Sequence, residues 1–116
     1  MEVLSAVPCV TVTEHLTVQP LADLAGAQKL RANVWTLAPG DWSWGRHVHR
    51  EQEELYLVLD GRLRVEAAGE TLELGPREAL VVPAGAPHQL WNAGEDEVTY
   101  LAAAAPPVPE GDSAPA

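Results

Sequence analysis

The stretch HVHREQEELYLVLDGRLRVEAAGETLEL, from His47 to Leu74, decides the fold. Within it Arg62, Arg64 and Glu66 alternate with Leu63, Val65 and Ala67. That period of two gives one wet and one dry face and excludes a helix. Asp60-Gly61 reads as a hairpin turn, since Gly supplies the positive φ that a tight primed turn demands, and Ala68-Gly69 reads as the next one.

The same rhythm continues outward in both directions. Short segments rich in Val, Leu, Trp and Tyr, bounded by turn residues, predict strands over 31–38, 44–49, 54–59, 62–67, 70–74, 79–82, 88–92 and 97–102. Pro83-Ala84-Gly85 and Ala93-Gly94 supply further turns. The expected fold is therefore all-β, an antiparallel, jelly-roll-like barrel in a single domain, the size that 116 residues suit. Residues 31–104 would form the barrel, and residues 1–30, which show no sustained helical period, would pack on it or extend it. Residues 105–116 are Pro, Ala and small polar types that read as a flexible tail.

Composition narrows the partners. A formal net charge of −10 opposes binding to nucleic acid or to an anionic membrane. No apolar run approaches the roughly 20 residues of a membrane span, and the first residues lack the basic start and apolar core of a secretory signal. The expected location is cytoplasmic. The single cysteine, Cys9, has no internal disulfide partner and reads as a small apolar residue.

Two clusters carry chemistry: the run from His47 to Gly61, and PAGAPHQLWN from Pro83 to Asn92. His47 and His49 are two apart, so on a strand both imidazoles project to one face. Glu54 opens the following strand and can return its carboxylate to that face. Pro83 and Gly85 make a sharp reversal that delivers His88 from a different part of the sheet. Three imidazoles and one carboxylate suit one divalent first-row ion, Fe, Mn, Ni, Cu or Zn. Tyr56 shares the direction of Glu54 and is a candidate catalytic residue, as a proton donor or orienting hydroxyl. Val58, Leu90 and Asn92 would wall the same pocket. Trp44 and Trp91, by strand alternation, would face away from it. His15 reads as a surface histidine without partners.

These residues resemble the two signature motifs of the cupins. The first motif reads Gly, five residues, His-x-His, three or four residues, Glu, six residues, Gly, and His47, His49, Glu54 and Gly61 fall at those spacings. The second reads Gly, five residues, Pro-x-Gly, two residues, His, three residues, Asn, and Pro83, Gly85, His88 and Asn92 satisfy it. The leading glycines are replaced by Asp41 and Arg77. The resemblance implies a conical antiparallel barrel, a metal inside it near the wider mouth, and pairing into homodimers. It also implies a small-molecule ligand or substrate. The expected activity is metal-dependent chemistry on a small organic molecule, by dioxygenase-like oxidation or isomerisation; the alternative is a non-catalytic module that binds a metal or a small, sugar-like ligand.

Overall fold

The computed structural model describes residue 1, residues 3–108 and residues 112–116. Two antiparallel sheets face each other. The six-stranded sheet contains β1 (Val10–Thr13), β2 (Leu16–Gln19), β3 (Arg31–Leu37), β10 (Val98–Ala105), β5 (Glu53–Asp60) and β8 (Ala79–Val82), in that order across the sheet. The five-stranded sheet runs β11 (Ser113–Pro115), β4 (His47–His49), β9 (His88–Trp91), β6 (Leu63–Ala67) and β7 (Glu70–Leu74). The sheets are not closed into a continuous hydrogen-bonded barrel, but the jelly-roll-like cupin fold fits them. All eight strands expected from the sequence are present, and their bounds differ from expectation by up to three residues.

Alternation places the core between the sheets. Tyr56 and Val58 of β5, with Val98 and Tyr100 of β10, meet Leu63 and Val65 of β6 and Leu90 of β9, all of them buried. Each such side chain taken from water contributes about 1.5–3 kcal/mol. The opposite faces of β5 and β10 carry Leu55, Leu57, Leu59 and Leu101, which stay partly or largely exposed. This outer face is more apolar than a wet sheet surface requires.

Turn chemistry accounts for the connections, with one correction. Ala68 and Gly69 take φ of 49° and 82° between the paired residues Ala67 and Glu70, a two-residue primed hairpin. Asp60-Gly61 does not make a hairpin: β5 pairs with β10 and β8, whereas β6 pairs with β7 and β9, so this turn passes the chain from one sheet to the other. Gly61 is still required, since its φ is 85° and a Cβ there would lie 2.5 Å from the Glu97 carbonyl oxygen. The turn residue was legible; the sheet change depends on close packing against β10.

Both ends add strands to the sheets. β1 and β2 extend the larger sheet beyond β3, and a single-turn helix, α1 (Leu21–Leu24), follows them. At the other end, Ser113–Pro115 pairs with β4 in the register Ser113↔His49, Ala114↔Val48 and Pro115↔His47. A flexible tail was expected over 105–116, of which 109–111 lie outside the described residues. Composition predicts weak self-burial for this segment, but the open edge of β4 offers unpaired backbone groups that the returning chain satisfies. Among the described residues no helix is long and apolar enough to cross a membrane.

Candidate metal centre

Both sheets contribute to one cluster. His47 and His49 sit on β4, His88 on the adjacent β9, and Glu54 on β5 of the opposite sheet. One ligand atom from each of the four lies within 4.8 Å of all the others. His49 Nε2 is 2.6 Å and His88 Nε2 is 3.2 Å from Glu54 Oε1. Strand β4 is held beside the second motif by the Gly85 N–H, which donates to the His49 carbonyl at 2.8 Å.

Ring orientation is set from behind. His47 Nδ1 donates to the Gly45 carbonyl at 2.8 Å, and His88 Nδ1 donates to the Ala86 carbonyl at 2.9 Å. Each ring therefore turns Nε2 toward the centre of the cluster. His49 Nδ1 is buried and has no hydrogen-bond partner; the Asp112 carboxylate is 3.7 Å away.

Electrostatics follow this arrangement. Burial lowers the pKa of His47, and the neighbouring His88 and His49 push it further the same way. For His88 burial also acts downward, but the hydrogen bonds to Glu54 and to the Ala86 carbonyl outweigh it and raise the value. Burial pushes the Glu54 carboxyl up, yet the His88 hydrogen bond and the charges of His49 and His88 hold it below the usual carboxylate range. Glu54 thus favours the protonated form of His88, and His88 favours the ionised form of Glu54. Burial, and then the Glu54 charge, raise Tyr56 well above the usual phenol value, so it remains protonated.

The residues present fit a divalent ion. Bonds of about 2.0–2.2 Å require donors no more than about 4.3 Å apart, so small side-chain rotations close a set already within 4.8 Å. The Glu54 carboxylate, held below the usual carboxylate range, supplies an anionic donor, and two of the three imidazoles have backbone partners that orient Nε2 inward.

The cluster opens into a cavity of about 530 Å³. Tyr56, Tyr100, Leu90, Trp35 and Trp44 form its apolar walls, and Arg31 and Arg46 stand among its lining residues. Trp35 and Trp44 meet edge to face, with ring centroids 5.8 Å apart.

Several sequence readings are revised here. Trp44 lines the cavity, because β4 begins only at His47 and strand alternation does not extend back to residue 44. Trp91 does face away, stacked on Trp42 at 5.0 Å with the Arg64 guanidinium over it at 4.9 Å. Val58 is core rather than pocket wall. Asn92 is fully buried and structural: its amide donates to the Leu37 and Asp96 carbonyls, and its oxygen accepts from the Gly94 N–H. His15 does have partners, Glu14 and Asp41, both at 3.0 Å. At the two motif positions without Gly, Arg77 adopts φ of 67°, while near Asp41 the positive φ of 78° falls on Gly40. Sequence reasoning missed Asp112, since a single acidic residue in a Pro- and Ala-rich end carries no local signal.

Comparison with known proteins agrees with this geometry. Polyketide synthase CurC of Streptomyces cyaneus is 33% identical over 64 residues, 55% of this chain and 42% of that protein. The chain spans about half the length of the curated relatives it matches. Among solved structures, a sugar phosphate isomerase from a cupin superfamily of Silicibacter pomeroyi superposes with a TM-score of 0.80 at 24% identity, covering 90% of this chain and 73% of the other. The polyketide cyclase RemF of Streptomyces resistomycificus gives 0.76 at 23% identity, covering 97% and 89%. Residues 33–103, more than half of the sequence, match the Cupin domain family, and the chain belongs to that family.

Proposed function

We propose that this protein is a metal-dependent enzyme acting on a planar, oxygen-rich small molecule of the aromatic or poly-carbonyl kind. The observation that carries the reading is that His47, His49 and Glu54, clustered with the buried His88, line a cavity of about 530 Å³ walled by Trp35, Trp44, Tyr56 and Tyr100. Flat aromatic faces suit a flat ligand, and the volume lies in the range of small-molecule sites. The similarity to the polyketide synthase CurC and the polyketide cyclase RemF supports the same substrate class.

His47, His49, Glu54 and His88 would hold the ion. When bound, it supplies a Lewis acid for a carbonyl or enolate oxygen, or a redox centre. The chain's own groups do the rest. Tyr56 keeps its proton in the buried wall beside Glu54 and serves as a hydrogen-bond donor to a ligand oxygen. Trp35 and Trp44 orient the ligand plane, and Arg31 and Arg46 attract a carboxylate or phenolate at the rim.

The apolar outer face supports a homodimer. Leu101 lies opposite both Leu57 and Val34, and Leu55 lies opposite Val81, so these side chains form one continuous surface. The exposed thiol of Cys9 suits a reducing compartment such as the cytoplasm.

The test loads the protein separately with Zn, Mn, Fe, Ni and Cu, and follows tryptophan quenching by hydroxylated naphthoquinones, ribose 5-phosphate and oxalate. Turnover is then measured by chromatography and oxygen uptake. Binding and conversion of the planar compounds is the expected result. Conversion of the sugar phosphate or oxalate alone would overturn the substrate class, and binding without conversion by any metal form would make the protein a binding module.

A further inference from the structure

The three imidazoles of the cluster are supported differently. His47 and His88 each donate Nδ1–H to the carbonyl two residues earlier in the chain, Gly45 and Ala86. His49 has no such carbonyl: its Nδ1 is buried and unpartnered. What faces it is Asp112, whose side chain is only 9% exposed and whose Oδ2 lies 3.7 Å from that nitrogen.

Asp112 is itself firmly placed. Its Oδ1 accepts from the Glu51 N–H at 2.9 Å and its Oδ2 from the Gln52 N–H at 3.3 Å. Its carbonyl accepts from the Arg50 N–H at 3.0 Å. The next residue, Ser113, pairs directly with His49 as β11 runs along β4. A carboxylate from the far end of the chain thus caps the β4–β5 turn and stands behind one candidate ligand.

The 3.7 Å gap has a physical reason. His49 Nε2 lies 2.6 Å from Glu54 Oε1, and the neutral tautomer that donates through this contact has a lone pair on Nδ1. A lone pair and a carboxylate repel, so no hydrogen bond forms. An ion that takes Nε2 as a ligand requires the neutral ring to carry its proton on Nδ1 instead. Among the described residues, the carboxylate facing that nitrogen is Asp112, and closing the gap by about 0.8 Å reaches ordinary hydrogen-bond length.

We propose that Asp112 is a positioning residue for the metal centre, accepting the Nδ1 proton of His49 and fixing the tautomer that turns Nε2 to the ion. The inference rests on the reading of the cluster as a metal site. It makes the strand β11 part of the centre, although its sequence carries no ligand.

The experiment compares zinc affinity, by chelator competition, in the full-length protein and in Asp112→Asn, Asp112→Glu and His47→Ala variants. It also records histidine ¹⁵N–¹H spectra of the zinc-loaded protein. Asparagine keeps an oxygen for the Glu51 N–H, gives up the longer contact with the Gln52 N–H, and removes the anionic acceptor. The expected result is about 10-fold to 100-fold weaker zinc binding in Asp112→Asn, with the metal-free melting temperature lowered by no more than the few degrees that one lost hydrogen bond costs. Asp112→Glu should recover part of the loss. The loaded protein should show a protonated Nδ1 on His49. Affinity within twofold of the parent in Asp112→Asn, with binding abolished in His47→Ala, would overturn the inference and leave the metal site standing. A zinc-loaded His49 protonated on Nε2 would overturn it without recourse to any variant. Failure of the parent protein to take up zinc would remove both readings.

Discussion

His47 and His88 stand directly opposite each other across the β4–β9 pair, with ring centroids 4.3 Å apart. Neighbouring strands bring opposed side chains to about this separation, so backbone pairing alone fixes two of the four candidate ligands. Glu54 must then arrive from the facing sheet. The cluster is consequently a contact between the sheets, and its occupancy is coupled to their packing.

Metal removal should therefore loosen the fold. At an ion concentration about 100 times the dissociation constant, binding stabilises the folded state by about 2.7 kcal/mol. For a domain of this size that corresponds to a drop of about 10 °C in melting temperature on chelation. Calorimetry with and without chelator checks it. His47→Ala should show the low value in both conditions; an identical melting temperature for the parent protein, before and after verified metal removal, would count against the site.

Acid should release the ion. The Glu54 and Ala86 hydrogen bonds raise the folded pKa of His88 above the ordinary 6.5, so an ion taking Nε2 competes with a proton that this site favours more than a free imidazole does. Titration calorimetry near pH 6.5 in buffers of different ionisation enthalpy should report proton release, increasing as the pH falls. In the metal-free protein the two shifted imidazoles oppose each other. The raised value of His88 adds stability that is complete below 6.5 and is lost as pH rises through its folded pKa. The lowered value of His47 removes stability as pH falls from 6.5 toward its folded pKa. A metal-free stability profile with only one of these two slopes would contradict the arrangement.

Two left-handed positions should respond in opposite ways. Gly61→Ala places a Cβ against the Glu97 carbonyl at φ of 85° and should cost about 2 kcal/mol or more. At Arg77, φ of 67° already bears a cost of about 1 kcal/mol. Arg77→Gly relieves it but adds a similar amount of unfolded-state entropy, so the net change should stay within about 0.5 kcal/mol. Urea unfolding of both variants measures the contrast, and a large effect at Arg77 would mean its side chain has a further role.

The outer face of the larger sheet should govern association. Leu55 and Val81 are paired neighbours there, 37% and 48% exposed. Lysine at both positions should convert a dimer, of about twice the 12.4 kDa chain mass, to a monomer with little change in folding. Light scattering coupled to size exclusion reads the mass directly. A parent protein already monomeric at high concentration would dismiss the homodimer.

The two-residue period, the turn glycines and the His-x-His, Glu, Pro-x-Gly and His spacings are local, and they determined the strands, the cupin resemblance and the four candidate ligands. Periodicity is a property of neighbouring residues, so a chain read one residue at a time retains it. Other features depend on residues distant in sequence. Asp60-Gly61 carries a hairpin signature, but the direction taken by β6 is decided by contact between Gly61 and Glu97. Trp44 entered the cavity because β4 starts late, and Asp112 came to His49 because the edge of β4 had unpaired backbone for the chain end to join. Those outcomes follow from competition among tertiary contacts, which no single segment encodes, and they are what gathers four well-spaced candidate ligands into one cluster beside a cavity.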